Sequence, residues 1–115
     1  MDDVGILVEY HYTPAAITSQ MARRICYQQN IMPKLKKGTK EYNKTMEEGY
    51  RELPMEWLVI AEDWCKDHKI GMEQGVMALM HLKSIFGMDF PDIVLRVILD
   101  DAWEIAKTIK VFKKK

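Results

Sequence analysis

Residues 4–12, VGILVEYHY, alternate in polarity, and Val4, Ile6, Val8, Tyr10 and Tyr12 fall on one side of an extended chain. That period of two is the signature of a half-buried strand. No second segment repeats it, and a lone strand leaves its ladder groups unpaired. The pattern therefore predicts pairing with a strand of a second chain, as in a homodimer, or an extended segment lying over helices.

From Thr13 onward the period lengthens to that of a helix. Thr13 and Pro14 open the first one as cap and first-turn proline, and Ile17, Met21, Ile25 and Gln28 follow one face to about Asn30. Pro33 and Gly38 interrupt, and a second helix is expected from about Thr39 to Glu52, closed by Pro54. In the third, Trp57, Ala61, Trp64, Cys65 and His68 form an apolar stripe with Glu56, Asp63 and Asp67 pointing elsewhere, and Gly71 supplies the stop. The fourth, about 72–86, is apolar almost all round: Met72, Val76, Leu79, Leu82 and Phe86 make a core face, with Met77 and Ile85 off it. Asp89, Phe90 and Pro91 open the fifth, whose stripe reads Phe90, Val94, Ile98, Ala102, Ile105, Ile109 and Phe112.

These periods predict an all-α fold, a compact bundle of about five helices preceded by a short extended N-terminal segment over residues 4–12. Its 115 residues contain no repeat, low-complexity linker or internal boundary, so a single helical domain over 1–115 is expected. Apolar residues make up 48% and charged residues 30%, enough of the former to exclude an intrinsically disordered chain. No apolar run approaches the roughly 18 residues of a membrane span. Asp2 and Asp3 stand where a secretory signal carries bases, so the expected location is cytoplasmic and away from membranes. Two cysteines, Cys26 and Cys65, are too few for a disulfide scaffold and are expected as free, buried thiols.

The formal charge is zero, from 17 basic and 17 acidic residues, yet the signs are segregated. Residues 1–21 hold three acids and no base, 22–40 six bases and no acid, and 41–63 seven acids against Lys44 and Arg51. Further on, 88–104 carry five acids and one base, whereas 105–115 carry five lysines. Local fields are thus expected on a neutral whole.

Chemistry-bearing constellations are sparse. Cys65 and His68 lie at i and i+3 on one helix face and would need Cys26 or His81 to complete a zinc site, but His81 falls on the polar side of its helix beside Ser84. A thiol on an apolar stripe is expected to have a raised pKa and poor nucleophilicity. The acid pairs Glu47–Glu48 and Asp100–Asp101 are adjacent and diverge by about 100 degrees on a helix, so neither is a convergent dyad. No catalytic residue, metal site or cofactor is assigned, and the chain is expected not to be an enzyme. Asp101 falls inside the fifth stripe and there calls for an ion pair or a capping contact.

What remains is surface. On the fifth helix Arg96, Trp103, Lys107 and Lys110 share the face opposite the stripe, and with Met77 and Ile85 they form the expected contact set of a small regulator, adaptor or inhibitor that docks onto a larger protein. If Trp103 is instead covered by the N-terminal segment or the first helix, it belongs to the core. The alternative is a nucleic-acid-binding module in which Arg23, Lys34, Lys36, Lys37 and Lys40 contact phosphates, although no recognition-helix pattern or phosphate cradle accompanies them. A third reading, a metal- or thiol-dependent enzyme built on Cys65, has the least support.

Overall fold

The computed structural model describes residues 14–87 and 90–109, and these form five helices without a strand. They are α1 (Pro14–Asn30), α2 (Lys40–Glu52), α3 (Met55–His68), α4 (Met72–Phe86) and α5 (Asp92–Ala106). The all-helical bundle expected from the periodicity is therefore the observed fold. The extended segment 4–12, Asp89 and Phe112 lie outside the described residues.

Local chemistry sets the helix ends. Thr39 caps α2, its hydroxyl oxygen accepting the Tyr42 N–H at 3.3 Å while donating to the Lys36 carbonyl at 2.7 Å. Leu53 is extended ahead of Pro54, the conformation that proline imposes on its predecessor, and α2 stops there. The stop of α3 comes earlier than Gly71. Lys69 adopts the left-handed conformation at φ 57°, and the amides of Lys69 and Ile70 return to the carbonyls of Lys66 and Cys65 in a Schellman-type closure. Gly71 instead precedes α4, with an ordinary φ of −71°.

Helix α4 is the hub, packing against α1, α2 and α3. Its residues 74–79 are all buried, and two glycines make the close approaches that this requires. A β-carbon on Gly75 would stand 2.8 Å from the Cys65 sulfur and 3.1 Å from the Ala61 methyl, and one on Gly49 of α2 would overlap the Val76 side chain. The α1–α4 contact carries a buried polar link: Gln28 donates to the Gln74 backbone and side-chain carbonyls, both at 3.1 Å, and in turn accepts from Arg24 at 2.8 Å.

The most extensive pairing is α1 with α5, and here the phase of α5 differs from the expected stripe. The buried positions are Leu95, Ile98, Leu99 and Ala102, whereas Ile105 is 41% exposed. Six of the seven residues 93–99 are apolar, so several faces compete, and the one centred on Leu95 and Leu99 packs inward. Asp101 is consequently exposed and is not a buried acid in want of a partner.

Candidate functional site

Helices α2 and α3 are joined by only Leu53 and Pro54, yet they do not pack on one another as they do on the rest of the bundle. Helix α2 leans on α4, α3 on α4 and α5, and the two splay around a groove of about 540 Å³. Tyr42, Met46 and Tyr50 recur at i, i+4 and i+8 on the α2 wall, and Met55, Leu58 and Val59 at i, i+3 and i+4 on the α3 wall. Met46 and Leu58 are buried at the floor, together with Cys65. Above them Tyr50, Met55 and Val59 are 57%, 70% and 52% exposed. Three large apolar side chains this open and this close together make a contiguous patch, where an isolated exposed residue would mean nothing.

Charge borders the groove at Lys37, Glu62 and Lys66. Lys66 stands 3.8 Å from the Glu62 carboxylate, whereas Lys37 belongs to the α1–α2 connection, in which Lys34, Lys36 and Lys37 are all exposed, as is Lys40 at the start of α2. Among the described residues none of these four lysines forms an ion pair. Of the other basic candidates, Arg23 is exposed on α1, and Arg24 is half-buried and committed to Gln28, with burial lowering its pKa. The basic set is therefore a lysine-bearing connection, with the arginines on the body of α1.

The face expected to carry Arg96, Trp103 and Lys107 is not an open one. Trp103 is half-buried, edge-on to Trp64 at 5.7 Å between ring centroids and tilted against His68 at 4.3 Å. Arg96 donates to Asp67 and, at 3.1 Å, to both oxygens of Asp100, and these hydrogen bonds, Asp67 first, push its pKa further up. Because the buried face centres on Leu95 and Leu99, Trp103 sits toward its margin against α3, about 60 degrees from the centre and not opposite it. The remaining open side of Trp103 lines a cleft of about 300 Å³ with Ile25, Cys26, Gln29, Asn30 and Lys107. Lys107 is exposed beside Glu104 at 3.2 Å, and Lys110 lies outside the described residues.

On α4, Met77 is only 8% exposed, because α2 packs over that side of the helix, while Ile85 is 40% exposed. Met77 is thus no part of an open surface with Trp103. His81 shares a shallow depression with Arg24, Glu48 and Ser84, and burial, then the Arg24 charge, lowers its pKa.

Cys26 and Cys65 are free and buried. Burial raises the Cys65 thiol to about 11, which suits it to packing beneath the groove and not to nucleophilic attack. Among the described residues no three His, Cys, Asp or Glu side chains are gathered to hold a metal ion, and no helix is long and apolar enough to cross a membrane.

The chain matches no family model, no curated protein and no solved structure. One wall of the groove has a trace in the sequence: Met55, Leu58 and Val59 make a second apolar set on α3 beside the tryptophan stripe.

Proposed function

We propose that this chain is a small non-enzymatic interaction protein, a regulator, adaptor or inhibitor, that docks onto a larger protein through the groove between α2 and α3. The observation that carries this reading is the exposure of Tyr50, Met55 and Val59 over a buried apolar floor. Full burial of a Val or Met side chain is worth about 1.5–3 kcal/mol. Covering Met55 and Val59 from their present 70% and 52% exposure thus recovers about 2–4 kcal/mol before any contribution from Tyr50. Methionines at the floor and on the wall, Met46 and Met55, add an adaptable surface.

The test is affinity capture with the wild-type protein and with a Met55→Glu/Val59→Glu variant, each with and without nuclease. A captured protein that is lost with the variant and kept after nuclease treatment supports the reading. Capture that ignores the groove substitutions refutes it.

The nucleic-acid reading retains one favouring observation, the four exposed lysines that form no ion pair among the described residues. It requires salt-sensitive binding of DNA or RNA that is strong at ~50 mM salt and weakens steeply above it. No binding under those conditions removes it.

A further inference from the structure

Resting on the docking reading above, we infer the chemistry of the occupant: an amphipathic helix of the partner protein that carries acidic residues where it passes the lysine-bearing connection.

The shape of the groove selects a helix. Both walls are helices, and among the described residues there is no strand edge to receive a partner strand. An extended segment lying here would press backbone N–H and C=O groups onto the apolar floor at Met46 and Leu58, with no strand ladder to bond them. A helix satisfies those groups internally and offers a stripe of side chains to the floor at Met46 and Leu58. From Met55 to Lys66 the α3 wall spans about 17 Å, which accommodates about three helical turns.

The charge at its border selects acids. Lys66 has Glu62 within 3.8 Å, but Lys37, which lines the same groove, and its neighbours Lys34, Lys36 and Lys40 have no carboxylate among the described residues. Lys40 also stands at the N-terminus of α2, where the helix dipole adds to its positive charge; Glu41 in the same turn offsets part of that potential, and the exposed lysines of the connection keep the rest. Carboxylates on an incoming helix relieve that repulsion, and a basic helix would add to it. The aliphatic and thioether floor, Met46 and Leu58, takes apolar side chains.

The experiment is selection from a displayed library of peptides about 16 residues long, some four helical turns, on the wild-type protein, with counterselection on the Met55→Glu/Val59→Glu variant. Both positions are more than half exposed, and circular dichroism verifies that the variant folds. The expected result is enrichment of sequences with apolar residues at i, i+3, i+4 and i+7 flanked by Asp or Glu. Affinity of a selected peptide for a Lys34→Gln/Lys36→Gln/Lys37→Gln variant is expected to fall about tenfold at low salt, with the difference shrinking at about 0.5 M salt. Groove-dependent peptides that are neutral or basic, or whose binding ignores both salt and the lysines, overturn the acidic assignment and leave the docking reading intact. Absence of any groove-dependent peptide overturns the docking reading itself. Enrichment of sequences resembling residues 4–12, groove-dependent self-association, or an oligonucleotide bound through the groove each names a different occupant and overturns the inference.

Discussion

The groove exists because α2 is held on α4, and a close approach in that contact is the crossing of Gly49 on Val76. Gly49→Ala sets two effects against each other. Alanine is favoured over glycine in a helix by about 1 kcal/mol. Its methyl, however, would overlap the Val76 side chain, and valine is β-branched and cannot swing away cheaply. Overpacking of this kind costs about 1–3 kcal/mol, so a modest net loss of stability is expected. Val76→Ala, at a position 0% exposed, removes two methyl groups at roughly 0.8 kcal/mol each and leaves a cavity, about 2–3 kcal/mol in all. In the double variant the methyl added on α2 enters the space vacated by Val76, relieving overlap and cavity together. The double variant should therefore be more stable than the sum of the singles implies by about 1–3 kcal/mol. Urea unfolding followed by far-ultraviolet circular dichroism measures all four corners of the cycle. Additivity within about 0.5 kcal/mol, or a Gly49→Ala protein more stable than wild type, would refute the close crossing and the groove geometry that depends on it.

Three further outcomes are expected. Lys69 is left-handed at φ 57°, a conformation costing a non-glycine residue about 1–2 kcal/mol, so Lys69→Gly should raise Tm by about 2–6 °C, and a fall would contradict the α3 closure. Cys65 is raised to about 11, above its ordinary value, so its contribution to stability is complete at neutral pH and lost as pH rises from about 9 through 11; unfolding midpoints of wild type and Cys65→Ala across that range should converge, and a gap that stays constant would rule this linkage out. Glu52 accepts from Lys83 at 2.5 Å, which lowers its pKa, so its contribution is present above the usual carboxylate range and lost as pH falls through the lowered value; Glu52→Gln should be less stable than wild type at pH 7, with the gap closing only as pH drops beneath the usual glutamate range, and a difference that does not shrink in acid would discount the pair.

Much of the fold was legible because its punctuation is strong. Pro14, Thr39 and Pro54 mark helix boundaries by missing donors and a capping hydroxyl, and these survive any tertiary context. The face of α5 was not legible, since apolar residues surround its first half and only the packing partner decides which of them turn inward. That single rotation moved Asp101 into solvent and Trp103 to the margin of the core, dissolving the surface assembled around the indole. The left-handed Lys69 was hidden for a different reason: nothing in a lysine announces a positive φ, and Gly71 two residues later offered the more conventional stop. The lysine-bearing connection, by contrast, was readable from charge spacing alone, because short exposed turns leave lysines where the sequence puts them. The groove needed the third dimension, since its walls come from two helices whose separation no periodicity encodes.

Nine methionines spread through the chain provide the most direct check on the docking surface. With carbon-13 labelled methionine methyl groups, a peptide selected on the wild-type protein should shift the resonances of Met46, Met55 and Met72, which line the groove, while Met21 in the core and Met77 on the far side of α2 stay in place. Unmoved Met46 and Met55 signals under saturating peptide, or equal shifts at Met21 and Met77, would contradict the assignment of the α2–α3 groove as the binding face.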